Sequence, residues 1–161
     1  MCSIGHYKIV HNNIFNHLNT TDYFGCACSN AIENGRLVME TEGAKLFKER
    51  FKDLDLLLAE EVIKLHKDKF NFFFISTKWE DYHIFVLQSR LTKNIFSPEL
   101  LKQSLKHLHF FAHQLKREET NFHLNAVSTL LDPERSQQIR AIFKDQPLYN
   151  LILYEFGAEG G

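Results

Sequence analysis

The side chain of this sequence most suited to covalent chemistry by type and position is Lys78. It follows directly on the apolar run F-F-F-I-S-T, so it is expected to emerge at the end of a central strand, where α/β folds place their ligand clefts. Partial desolvation there would lower the amine from its ordinary pKa of about 10.4 and free it as a nucleophile. A solvated strand-end lysine is the alternative. Asp132 is the second such group, immediately ahead of Pro133 and Glu134. Its carboxylate either projects into the same cleft or simply caps the helix that begins there. Of the nine histidines, His109 and His113 stand at i and i+4, a metal-binding spacing. The Glu of an H-E-x-x-H motif is missing and no third ligand is spaced to join them, so surface histidines and no metal are expected. Cys26 and Cys28 would point to one face of a strand without a second pair to complete a zinc site, and read as buried thiols. Ser, His and Asp are present without a G-x-S-x-G elbow, which leaves a hydrolase triad unsupported.

The scaffold that must position these groups is one domain. A chain of 161 residues buries about two thirds of its unfolded surface without disulfide or metal support. Its 44% hydrophobic and 24% charged residues exclude a disordered chain. With 19 basic against 20 acidic side chains there is no general field to draw in nucleic acid or a membrane surface, and the 15 phenylalanines read as core rather than a base-stacking platform. The opening residues lack a signal-peptide core and no apolar run is long enough to span a bilayer, so the expected address is intracellular, in cytoplasm or nucleus. Only seven glycines occur, and none forms a Walker loop or a G-x-G-x-x-G fingerprint.

Along the chain, Tyr7 to Val10 reads as a strand running into the polar turn H-N-N-I-F, and Tyr23 to Cys28 as a buried strand. The stretch from Ala31 to Gly43, with the turn pair Asn34-Gly35, reads as a long loop. Helical spacing follows from Gly43 to Phe51, and a second short helix covers Leu54 to Glu60. The run from Val62 to Lys78 reads as a β-hairpin with Lys67 to Lys69 at its tip, its second strand apolar from Phe72 to Ile75 and hence covered on both faces. A charged loop W-E-D-Y-H extends toward Arg90. Ser97-Pro98-Glu99 then opens a helix whose stripe of Leu101, Leu105, Leu108, Ala112 and Leu115 packs on a sheet. Asn121 to Val127 is a strand, residues 132 to 143 a helix, Leu148 to Phe156 the last strand, and a tail begins at Gly157. Alternating strands and helices imply an α/β sandwich.

In that order these segments resemble the macrodomain family, specifically the branch of terminal ADP-ribose protein glycohydrolases, over nearly the whole chain from about Tyr7 to Phe156. Y-K-I-V-H-N-N-I-F is similar to the opening strand, G-C-A-C-S to the second strand ending in Ser29, and L-F-K-E-R-F to the first helix. I-S-T-K falls where the branch has Thr-Lys, and L-L-D where it has Leu-Asp after a glycine-rich loop. The resemblance implies a single macrodomain-like three-layer α/β/α sandwich with a central mixed sheet over residues 1–156, followed by a flexible tail at 157–161. It implies that Lys78 attacks the anomeric carbon of the distal ribose, forming a lysyl-ADP-ribose intermediate as the carboxylate leaves, and that Asp132 assists its resolution. Asn13 and Ile14 would meet the adenine, and Ser29, Val127, Ser128, Thr129, Leu130 and Leu131 would contact the ligand, residues 128–130 in a loop that cradles the diphosphate. Phe156 would pack near the adenosine.

Against the family pattern, Asn12 and Asn13 replace Gly-Asp, Glu40 and Glu42 enter the first loop, and Ser128, Thr129 and Leu130 replace a glycine run. Glycines there let backbone N–H groups approach phosphates closely. Two functions follow as expectations: a cofactor-free monomeric hydrolase of the ester between mono-ADP-ribose and a protein glutamate or aspartate, or an inactive reader of ADP-ribose, another nucleotide or a protein partner.

Overall fold

The computed structural model describes residues 2–4, 7–10, 12–29, 31–65, 74–90, 97–115, 120–125, 137, 141–142, 144 and 151–154. Strands β1 (Cys2–Ile4), β2 (Tyr7–Val10), β3 (Tyr23–Ser29), β6 (Phe74–Trp79), β7 (Tyr82–Arg90), β8 (Phe122–Asn125) and β9 (Leu151–Tyr154) form one sheet in the order β1-β2-β9-β8-β3-β7-β6. Strands β2, β9, β8, β3 and β7 are parallel to their neighbours, while β1 and β6 add antiparallel edges. The sheet is therefore mixed, as expected. A small separate hairpin, β4 (Ile32–Glu33) and β5 (Arg36–Leu37), turns through Asn34 and Gly35, both at positive φ. That turn geometry is why Asn-Gly occurs there, and it gives the expected loop a definite shape.

Helices cover both faces. On one side α1 (Glu42–Arg50) and α2 (Leu54–Leu65) lay Ala44, Phe47, Leu54, Leu58 and Val62 on Phe24, Cys26, Cys28, Ile75, Ile84 and Val86. On the other, α3 (Pro98–Gln114) lays Leu101, Leu105 and Leu108 on Phe85, Leu87, Phe122, Leu124 and Leu153, with Ala112 and Leu115 packed at the margin. Each buried leucine of that stripe contributes about 1.5–3 kcal/mol. Ser97 caps α3 by accepting from the Leu100 N–H at 3.2 Å, with Pro98 in the first turn. Cys26 and Cys28 are buried, and His109 and His113 are exposed, both as expected.

Three expectations are corrected. Val62 to Leu65 complete α2 rather than opening a hairpin. The charged loop is only a tight turn at Glu80 and Asp81, after which Tyr82–Arg90 is a nine-residue strand. Most consequentially, Phe74 and Ile75, at the end of the apolar run, belong to the edge strand β6, and the interior strand is the one that follows it; Phe72 and Phe73 lie outside the described residues. The pattern misled because helices cover both faces of that edge: Phe74 meets Phe111 of α3 at 4.7 Å between ring centroids, while Ile75 packs in the α2 cluster. Alternation reports what lies above and below a strand, not what lies beside it.

Candidate functional site

The parallel strands share one direction, so β2, β9, β8, β3 and β7 deliver Val10, Tyr154, Asn125, Ser29 and Arg90 to a single carboxyl edge. From β3 the chain crosses to β7 over the face of α1 and α2. From β8 it crosses to β9 over the opposite face, where Ile142 joins the α3 core. The crossovers leave adjacent strands on opposite sides, which makes the β3/β8 boundary a topological switch point with a crevice at its carboxyl end.

The first turn of α1 borders this crevice. Thr41 caps the helix by accepting from the Ala44 N–H at 3.2 Å, and its hydroxyl donates to the Ala27 carbonyl of β3 at 2.8 Å. Gly43 fits against β8: a Cβ there would lie 2.8 Å from the Asn125 carbonyl oxygen and 3.7 Å from the Asn125 side-chain carbon. Alanine at 43 would gain about 1 kcal/mol of helix propensity but force a backbone separation costing about 1–3 kcal/mol. Gly43→Ala is therefore expected to lower stability by about 1 kcal/mol, read as a shift in the urea midpoint; an unchanged or raised midpoint would show that α1 is not seated this tightly. The hairpin ahead of α1 is held down by Arg36, which reaches Asp53 at 3.1 Å and the buried Asp55 at 2.9 Å.

A buried polar network runs from Tyr154 at the carboxyl edge down to Asp22, just ahead of β3 at the amino edge, next to the short 3-10 helix Ile14–His17. His123 Nδ1 is 2.7 Å from the Tyr154 hydroxyl, and Nε2 is 2.9 Å from Asp22 Oδ2. Asp22 also accepts from the Asn121 N–H at 3.1 Å and from Asn19 Nδ2 at 3.2 Å. Burial opposes the Asp22 charge, but the hydrogen bonds from His123, Asn121 and Asn19 outweigh it and hold the carboxyl below its ordinary 3.8. Burial dominates at His123 and keeps the ring below its ordinary 6.5 despite the carboxylate. The neutral ring then donates from Nε2 to Asp22 and accepts at Nδ1 from Tyr154, whose phenol is pushed up to about 12 by burial and the Asp22 charge.

Of the expected site residues, Asn13, Ile14 and Ser29 do lie at or just beyond the carboxyl edge. Asn13 accepts from the Phe15 N–H at 3.0 Å and so caps the 3-10 helix. The Ile14 side chain is core, and Ser29, fully buried after a bulge in β3, accepts from the Ala31 N–H at 3.4 Å. Val127, Ser128, Thr129, Leu130, Leu131, Asp132 and Phe156 lie outside the described residues, as does the tail from Gly157.

Lys78 is elsewhere. It pairs with His83, which is level with Tyr23, Phe122 and Leu151, the first residues of β3, β8 and β9. The seven residues from Tyr23 to Ser29 span roughly 20 Å, so Lys78 sits exposed at the amino edge, a sheet's length from the crevice. The expectation that it ends a central strand is corrected by the β6–β7 hairpin, which reverses the chain just after it. Asn125, Asp22, His123 and Tyr154 were not foreseen. Their one sequence signal is N-F-H-L-N, a strand whose alternate residues on one face, His123 and Asn125, are polar though buried.

Among the described residues no group of three His, Cys, Asp or Glu could hold a metal ion, and no helix is long and apolar enough to cross a membrane. No protein-family model matches the sequence, and no curated protein matches it either. Solved structures do. A macrodomain protein from Streptomyces coelicolor is similar at a TM-score of 0.66 and 11% identity, over 94% of this chain and 99% of its own. The macrodomain of Thermus aquaticus DarG is similar at 0.62 and 15%, over 94% and 97%. A Bacteroides thetaiotaomicron protein is similar at 0.64 and 10%, over 91% and 97%. The chain has the macrodomain fold.

Proposed function

We propose that this chain binds ADP-ribose along the carboxyl edge of its sheet and acts as a reader of that group. The observation carrying this reading is the β3/β8 switch point bordered by the capped first turn of α1, in a chain with the macrodomain fold. Such a crevice offers backbone donors and an oriented helix terminus to a ligand's oxygens. The adenine would lie toward Asn13 and Phe156, and the remainder of the ligand toward β8, β3 and residues 127–131.

Hydrolysis of a glutamate- or aspartate-linked ADP-ribose is the finer reading, and it requires a nucleophile at the same edge. The exposed Lys78 at the amino edge does not meet that requirement, which is why binding is preferred here over turnover. Calorimetry is expected to give ADP-ribose binding by the wild type, and by Lys78→Ala within about two-fold, since a group roughly 20 Å away at an exposed site is screened. Incubation with a glutamate-linked mono-ADP-ribosylated protein tests the same point. Release of ADP-ribose that disappears in Lys78→Ala would restore the hydrolase reading, and absence of any binding would sink both.

A further inference from the structure

We propose that Asn125 determines specificity at this edge by hydrogen-bonding, through its carboxamide, to a pair of neighbouring sugar hydroxyls on the ligand. The inference rests on the ADP-ribose reading above and names the residue that would distinguish the distal ribose. Asn125 ends β8, paired with Cys26 of β3 on one side and Tyr154 of β9 on the other. It is 4% exposed, yet among the described residues neither its Oδ1 nor its Nδ2 has a hydrogen-bond partner. A buried amide left in this state is costly, and native chains rarely retain one without a ligand, a water or a role to satisfy it.

Its surroundings narrow the ligand chemistry. The side chain lies against Gly43 in the first turn of α1, beside the switch-point crevice. A phosphate that only accepts would satisfy Nδ2 and leave Oδ1 unpaired, so a neutral group that both donates and accepts is favoured. A carboxamide offers a donor and an acceptor side by side. A vicinal diol matches both: one hydroxyl donates to Oδ1 and its neighbour accepts from Nδ2. The position also fits. Asn13, where adenine is expected, precedes the 3-10 helix whose His17 ring lies 5.4 Å from that of Tyr154 on β9, and Asn125 lies one strand further toward β3, closer to the far end of an extended ligand.

The test compares the wild type with Asn125→Leu and Asn125→Ala, using ADP-ribose and adenosine monophosphate as calorimetric ligands and thermal unfolding without ligand. Both variants should bind ADP-ribose at least about ten-fold more weakly, the loss of one to two hydrogen bonds. Their affinity for adenosine monophosphate, which lacks the distal ribose, should stay within about two-fold of the wild type. Ligand-free Asn125→Leu should unfold no lower than the wild type, because an apolar side chain of similar size removes the unpaired amide. Asn125→Ala, which cannot overpack, supplies the binding comparison if the leucine variant misfolds. ADP-ribose binding unchanged in both variants would overturn the role of Asn125 while leaving the reader proposal standing. Equal losses for both nucleotides would overturn it too, because they would mark a general distortion. A wild type that binds neither nucleotide would overturn both proposals.

Discussion

Gly25→Ala is expected to destabilise the protein by about 3 kcal/mol or more, one of the two largest effects of a single substitution foreseen here. Gly25 lies in the middle of β3, directly opposite Phe85 of β7. A Cβ at this position would stand 2.4 Å from the Phe85 carbonyl oxygen and 2.6 Å from two atoms of its ring. Those are hard overlaps with backbone and with a ring that cannot swing away. Phe85 is fully buried, 5.9 Å from Phe74 and 6.0 Å from Phe122 between centroids. Overpacking of a tight core usually costs about 1–3 kcal/mol; here two interior strands would have to separate, which puts the change at or above the top of that range. In a domain of this size the loss is a fall of about 6–12 °C in the unfolding midpoint.

A double variant isolates the cause. Gly25→Ala combined with Phe85→Leu should recover part of the loss, giving a favourable coupling of about 1 kcal/mol or more between the two sites. A Gly25→Ala protein within about 1 kcal/mol of the wild type would mean that the ring does not lie across Gly25. The glycine thus serves core packing, while the crevice at the far end of β3 is left to other residues.

The second large effect falls on Asp22. Asp22→Ala would leave the buried His123 Nε2–H and the part-buried Asn121 N–H without their carboxylate partner, at a cost of about 3 kcal/mol. The carboxylate joins the residue before β3 to β8 across 101 positions of sequence. Its loss should loosen both that junction and the seat of the 3-10 helix above Tyr154. Urea unfolding at pH 7 measures this directly, and a loss below about 1 kcal/mol would show that the network carries little.

The same network predicts how stability depends on pH. His123 is held below 6.5 in the folded chain, so between that lowered value and 6.5 the unfolded chain binds more protons. Its contribution is fully present above pH 6.5 and is lost as pH falls toward the folded value. Asp22, also lowered in the folded state, adds a further loss as pH drops below 3.8 through its own folded value. Stability should therefore decline on acidification in two stages. His123→Gln, neutral at every pH, should flatten the first stage while leaving the second. An equal slope in variant and wild type between pH 7 and 5 would show that His123 is not held neutral.

Much of this architecture was legible in the sequence because it is written locally. Ser97-Pro98-Glu99 marked the start of α3, Asn34-Gly35 marked a turn, and the leucine stripe marked which face of α3 is buried. The alternation of strands and helices was enough to give the sandwich. Paired apolar faces also placed Cys26 and Cys28 in the core as thiols. Each of these signals needs only the geometry of a single element, at a period of 3.6 or 2 residues.

The order and direction of the strands were settled only by tertiary packing. Lys78 illustrates the difference. Its apolar approach predicted burial on both faces, which holds for Phe74 and Ile75, but nothing in a side-chain period says whether a strand has one neighbour or two. The tight turn at Glu80 and Asp81 made β6 an outer strand and put Lys78 at the amino edge. Asp22, His123 and Tyr154 are ordinary residues in the sequence, and only the parallel pairing of β3, β8 and β9 brings them together. Asn125 meets Gly43 for the same reason, through the crossover that lays α1 on the sheet. The sequence by itself determined which faces are buried, because burial follows from local periodicity; the folded sheet decided which residues share an edge, because that depends on contacts between distant segments.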